Sequence, residues 1–172
     1  PVDFADAHDL LVGDWVNGVA LRADPTLSPM RCDTVLTEAR FPTVAPGGKW
    51  IAYMSLRGGG LAVTSYPTPG RRWQIAADGV EPQWLSPTEL LYRAGVSWYL
   101  ARIDPVSGEL AAQPTLWGRD MRFADTPGWS NRSTRDGGII YVQGPPETSG
   151  AYLRVVPNWV SQARAAVAEA NK

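Results

Sequence analysis

Apolar runs of about five residues, each closed by glycine, proline or an Asp-Gly pair, recur along the chain and predict β-strands joined by tight turns. One signature stands out: Phe41-Pro-Thr-Val-Ala-Pro-Gly-Gly-Lys-Trp-Ile-Ala-Tyr53 returns as Glu81-Pro-Gln-Trp-Leu-Ser-Pro-Thr-Glu-Leu-Leu-Tyr92 and, more weakly, as Asn131-Arg-Ser-Thr-Arg-Asp-Gly-Gly-Ile-Ile-Tyr141. The closing tyrosines are 39 and 49 residues apart, which brackets the roughly 40–45 residues of one four-stranded propeller blade. Runs such as Trp50–Met54 show no strict alternation of apolar and polar positions. That is the pattern of a sheet covered on both faces, as in blades stacked around an axis.

Read in blades, residues 1–40 supply the weakest unit, with strands expected at His8–Asp14, Gly18–Arg22 and Arg31–Leu36. The second unit places a Pro46-Gly47-Gly48 turn before Trp50–Met54, a Gly58-Gly59-Gly60 hairpin before Leu61–Tyr66, and Arg72–Ile75 before Asp78-Gly79. In the third, Glu89–Arg93 and Ser97–Ile103 precede an Asp104-Pro105-Val106-Ser107-Gly108 turn and Leu110–Leu116. A fourth starts near Phe123, with strands at Gly138–Val142 and Ala151–Val156. From Pro157, Trp159, Ala163, Ala166, Val167 and Ala170 recur at helical spacing behind a capping Asn158, predicting a short C-terminal helix. The expected fold is therefore all-β: a partial β-propeller of about four antiparallel four-stranded blades over 1–160, with a helical tail at 157–172.

Composition adjusts this picture only a little. The 172 residues are 44% apolar and 19% charged, enough to bury a core, and 17 glycines and 15 prolines suit a chain rich in turns. Seventeen acidic against 16 basic residues, without a block of like charge, give no electrostatic footprint for nucleic acid or an anionic bilayer. No run reaches the roughly 20 apolar residues that cross a membrane, and the first residues do not read as a signal peptide. The chain is expected to be soluble.

Candidate chemistry is sparse. His8 is the single histidine and Cys32 the single cysteine, so a Ser-His-Asp triad or a multi-ligand zinc site lacks its members. Cys32 reads as a small core or strand residue and His8 as a surface one. Gly58-Gly59-Gly60 lacks the Lys-Ser/Thr and the helix of a phosphate loop and reads as a hairpin. Asn131-Arg132-Ser133 matches a glycosylation acceptor that arises often by chance. Asp104, Asp120, Asp125 and Asp136 stand singly among turns, where Asp accepts local backbone hydrogen bonds. Trp50 and Trp84 belong to the repeat and are expected in the core between blades, with their indole N–H groups on backbone carbonyls. Trp73, Trp84, Trp98, Trp117 and Trp129 invite comparison with stacking platforms for bases or sugars, but lack the interleaved cations of a nucleotide-binding surface. Trp117 and Trp129, near loops, remain candidates for a binding surface. Neither catalytic, cofactor-binding nor metal-binding residues are assigned.

The repeated Pro-x-x-Ala/Ser-Pro-x-Gly turn followed by a short apolar strand resembles the TolB-like, or WD-like, β-propeller repeats of bacteria. Arg71-Arg-Trp-Gln-Ile-Ala-Ala-Asp-Gly-Val-Glu-Pro-Gln-Trp84, Glu89-Leu-Leu-Tyr-Arg93 and Val155-Val-Pro-Asn-Trp159 look like the last blades of propellers that follow bacterial serine/threonine kinase domains. The resemblance covers about residues 35–160; Gly47, Thr88 and Ser133-Thr134-Arg135 depart from the family pattern. It implies a noncatalytic interaction or sensory module, the C-terminal part of a longer protein, that takes a protein or small ligand on a rim loop such as Gly118–Trp129. An open ring would also favour self-association through its blade edges. The kinase signatures are absent from these residues. Two alternatives stand beside this reading: a free-standing periplasmic TolB-type binder, and the propeller of a prolyl-oligopeptidase-type peptidase, whose Gly-x-Ser-x-Gly elbow does not occur here.

Overall fold

A computed structural model of the protein describes residues 2–6, 9–14, 16–119, 131–133 and 139–141. Among them the regular elements are all β-strands, and each sheet takes its strands in chain order as an antiparallel meander. The first sheet holds β1 (Val2–Asp6), β2 (Asp9–Asp14), β3 (Val19–Asp24) and β4 (Arg31–Leu36). The second holds β5 (Ala39–Val44), β6 (Trp50–Ser55), β7 (Leu61–Ser65) and β8 (Trp73–Ala76). The third holds β9 (Val80–Trp84), β10 (Glu89–Ala94), β11 (Ser97–Arg102) and β12 (Thr115–Gly118). A two-stranded ladder of β13 (Asn131–Ser133) and β14 (Ile139–Tyr141) follows. The expected strand at Ala151–Val156 and the helix at 157–172 lie outside the described residues.

The repeat is visible in register as well as in sequence. In β5 the pairing jumps from Arg40↔Met54 to Thr43↔Ala52, so Phe41 and Pro42 together oppose Tyr53. In β9 it jumps from Val80↔Arg93 to Gln83↔Leu91, so Glu81 and Pro82 together oppose Tyr92. Each is a bulge whose first residue is left-handed, with φ of 50° at Phe41 and 51° at Glu81. Proline has no N–H to contribute to a ladder, so the bulge leaves no backbone donor orphaned at Pro42 or Pro82. The repeat opens at Phe41 and Glu81 in the sequence with no strand expected there; the structure places both in strands, β5 and β9. Tyr53 and Tyr92 are thus structural counterparts, and the register matches Ile51 with Leu90 rather than with Leu91.

Packing follows from the apolar runs. Trp50, Ile51, Ala52 and Tyr53 of β6 are all buried because the second sheet is covered on both faces. Toward the first sheet, Ile51, Val44 and Tyr66 meet Leu11 and Ala20; toward the third, Trp50, Ala52, Leu61, Val63 and Ile75 meet Trp84, Leu90, Tyr92 and Ala101. Tyr92 stacks on Tyr99 with centroids 5.7 Å apart. Two glycines let the second and third sheets approach closely. A Cβ on Gly108 would lie 2.5 Å from the Trp50 ring, and one on Gly79 would lie 2.8 Å from the Leu61 side chain.

Other expectations resolve as follows. The Gly58-Gly59-Gly60 segment is the β6–β7 hairpin, its three glycines all at positive φ. The strand expected at Leu110–Leu116 begins only at Thr115; Leu110 makes an isolated bridge to Ile103, closing the preceding turn, and Pro114 offers no donor for an earlier ladder. Cys32 is a strand residue on β4 and exposed, not core.

Candidate functional site

Antiparallel meanders gather alternate connections at one end. Following the strands outward places 45–49, 66–72, 85–88 and 103–114 on one rim of the second and third sheets, and 56–60, 77–79 and 95–96 on the other. The first rim is the chemically richer one, and its chemistry centres on the turn after β11.

Asp104 builds that turn. Its Oδ1 accepts from the backbone N–H of Val106 at 2.9 Å, from that of Ser107 at 2.7 Å and from the Ser107 hydroxyl at 3.0 Å. These donors, the Ser107 N–H foremost, hold the carboxyl below its usual range, with the Lys49 charge adding to them. The fixed turn docks on the neighbouring sheet. The Trp73 indole N–H donates to the Ser107 carbonyl at 2.9 Å, the Lys49 ammonium donates to the Pro105 carbonyl, and Gly108 presses on the Trp50 ring. Lys49 also lies 5.4 Å from the Trp50 centroid.

Arg71 completes the cluster. Its guanidinium carbon sits 3.6 Å from the centroid of the Trp73 ring, a close cation–π stack. The side chain is exposed, and Val106, on the turn that accepts from Trp73, is 80% exposed. Next in sequence, Arg72 turns away to the Ser55 hydroxyl at 2.9 Å and the Arg57 carbonyl at 3.0 Å. The arrangement offers positive charge, an aromatic support and an apolar tip on a braced loop. It can hold an anionic group.

A second polar cluster joins the first and second sheets. The buried Asp9 Oδ1 accepts from Arg22 Nε at 2.8 Å and from the Tyr66 hydroxyl at 2.7 Å. Burial, chiefly, with the adjacent carboxylate, raises the Tyr66 phenol above its ordinary range. Arg22 and Tyr66 both donate to Asp9, so the cluster reads as a clamp between sheets.

The tryptophans separate by environment. Trp84 is buried and its indole donates to the Thr43 carbonyl at 3.1 Å, tying β9 to β5 as expected. Trp50 is buried as expected, but its Nε1 has no hydrogen-bond partner among the described residues, while the six-membered edge of its ring packs against Gly108. Trp98 is fully buried and offers no platform. Trp117 is 39% exposed on β12. Asp104 is the turn residue expected, whereas His8, Asp120, Asp125, Asp136 and Trp129 lie outside the described residues, as does most of the 118–129 segment. Asn131 lies in β13, where only the backbone is described. The sequence reading missed the Arg71–Trp73 stack, although Arg71-Arg72-Trp73 carried the signal: a cation two positions from an aromatic at the start of a strand, where such residues share a face.

No group of three or more His, Cys, Asp or Glu side chains that could hold a metal occurs among the described residues, nor does a helix long and apolar enough to cross a membrane. No protein-family model matches the chain, and no curated protein matches it. One solved structure, described as KlHsv2 with loop 6CD replaced by a Gly-Ser linker, is similar at 14% identity with a TM-score of 0.44. The match covers 83% of this chain and 45% of that one. A likeness this loose carries no argument about fold or function.

Proposed function

We propose that the chain is a β-propeller module of the TolB-like kind that acts by binding, not by catalysis, and presents its ligand surface on the rim built by 45–49, 66–72 and 103–114. The observation that carries the reading is the repeated meander with equivalent bulges at Phe41-Pro42 and Glu81-Pro82, each sheet stacked on the next through apolar faces. Stacked meanders of this kind are the building plan of propellers, whose scaffold leaves the loops free to vary. In a bacterial serine/threonine kinase such a module would supply the sensing or docking surface and leave phosphoryl transfer to another domain. The polar groups of the rim support binding: Asp104, Trp73 and Lys49 are committed to holding the loop in shape.

Two measurements test this. Purified protein incubated with kinase, peptidase and glycosidase substrates is expected to show no turnover; turnover that survives in a His8→Ala variant would overturn the noncatalytic reading. Partners identified by affinity capture are then purified and titrated against variants of each rim. Loss of binding on altering 67–71 and 105–107, with binding kept on altering 57–59 and 95–96, is the expected result. The reverse pattern refutes the rim assignment.

A further inference from the structure

Most arginines on the described surface are already engaged. Arg22, Arg31, Arg57, Arg93 and Arg102 each meet a carboxylate, and Arg72 donates to Ser55 and Arg57. Arg71 differs. Its guanidinium carbon sits 3.6 Å over the Trp73 ring centroid, and among the described residues no hydrogen bond or ion pair takes up its N–H groups. A guanidinium supported by an aromatic face leaves the N–H groups of its edge unblocked by that ring, and such an edge can grip a carboxylate with two parallel hydrogen bonds.

The support under Arg71 is rigid. The indole under Arg71 is pinned by its own N–H to the Ser107 carbonyl, and that carbonyl belongs to a turn fixed by three hydrogen bonds to Asp104. Ordering a free arginine adds to what binding must offset, and here the side chain is ordered beforehand. A second cation, Lys49, reaches the same turn two residues earlier, at Pro105, and Val106 between them presents an apolar tip.

We propose that Arg71 on Trp73, with Lys49 and Val106 beside it, is the anchor for an acidic peptide segment of a partner protein. Charge complementarity selects this occupant. Nucleic acid and anionic bilayers are held by many cations spread over a surface, whereas the chain has a net charge of −1 and on this rim the Lys49 charge already acts on the Asp104 carboxylate, leaving Arg71 as the cation with no described carboxylate beside it. A single forked cation with one neighbour fits one or two carboxylates on a strand of peptide. This assignment rests on the binding role proposed above and names the class of ligand for it.

The test uses the full chain and fluorescence anisotropy with fluorescein-labelled pentaglutamate, pentaglutamine serving as the uncharged control. Pentaglutamate is expected to bind and pentaglutamine not. Arg71→Ala is expected to weaken binding about tenfold or more, the loss of a charge-assisted pair. Arg71→Lys, which keeps charge but loses the flat fork, should fall between. Arg31→Ala, removing an exposed cation on β4, should stay within about twofold, since it removes only diffuse charge. Melting curves of each variant check that the fold persists; Arg71→Gln replaces Arg71→Ala if the latter does not fold. Equal binding by Arg71→Ala or by pentaglutamine overturns the proposal, as does binding to phosphatidylcholine–phosphatidylserine vesicles without binding to pentaglutamate. Equal binding by Arg71→Lys overturns the stacked-fork geometry. Failure here, with partner binding still confined to this rim, would leave the module reading intact and remove only the acidic ligand.

Discussion

Trp84 gives the sharpest test of how the second and third sheets are joined. Its side chain is 93% buried, among Ala52, Val63, Leu90 and Tyr92, and its indole N–H reaches across the seam to the Thr43 carbonyl. An indole buries on the order of 200 Å², which at roughly 25 cal/mol per Å² is about 5 kcal/mol, less what the alanine methyl retains. Truncations of large buried aromatics cost about 3–5 kcal/mol, and Trp84→Ala is expected in that range. Trp84→Phe separates the two contributions. It keeps most of the apolar contact and removes the donor, so it should cost about 1–2 kcal/mol, a lost hydrogen bond plus a small void. Urea unfolding followed by circular dichroism is the suitable assay, because eight tryptophans make fluorescence ambiguous about which seam opens. The slope against urea should stay unchanged, so that the midpoint alone reports stability. Val106→Ala, on the exposed turn, should shift stability by less than about 0.5 kcal/mol. A Trp84→Ala cost below about 1 kcal/mol, or equal costs for the alanine and phenylalanine variants, would refute the seam described.

The same reasoning extends to pH, backbone and the other seam. Burial, chiefly, pushes the Tyr92 phenol up to about 12, so the folded chain holds that proton more tightly than the unfolded one. Stability from this group is complete below pH 10 and declines as pH rises from 10 to about 12; Tyr92→Phe should flatten that limb in alkaline unfolding titrations, and an unaltered limb would count against the buried phenol. Gly60→Ala forces a Cβ to 2.2 Å from the Ala76 carbonyl at a φ of 75° and should cost more than about 2 kcal/mol. Gly47→Ala, with open space but a φ of 89°, should cost only about 1–2 kcal/mol; thermal melts in which the two are equal would show that the hairpin is not closed as described. Tyr66→Phe removes a hydrogen bond to the buried Asp9 and should cost about 1–2 kcal/mol. A double-mutant cycle with Asp9→Asn should show coupling, and strict additivity would mean that the clamp does not join the sheets.

Much of the architecture is written locally. The spacing of Tyr53 and Tyr92, the glycines at 58–60 and the uninterrupted apolar run at Trp50–Tyr53 specify strands, a hairpin and a sheet buried on both faces, because strand period and turn chemistry act over a few residues. Asp104 was legible as a turn builder for the same reason, since its partners lie within three positions.

What escaped the sequence depends on residues far apart along it. Nothing near Ser107 announces that its carbonyl accepts from Trp73, 34 positions earlier, or that Gly108 is small because Trp50 leans on it. No strand was legible at Phe41-Pro42 or Glu81-Pro82, and only pairing with β6 and β10 makes them bulged strands. Trp50 and Trp84 occupy similar places in the pattern, yet one indole finds a carbonyl and the other does not. Tertiary packing sets these outcomes because hydrogen bonding and close approach depend on where a neighbouring sheet places its atoms. The Arg71–Trp73 stack lies between the two regimes. Its pairing was local and readable, but its rigidity, and with it the candidate site, came from the turn that the third sheet supplies.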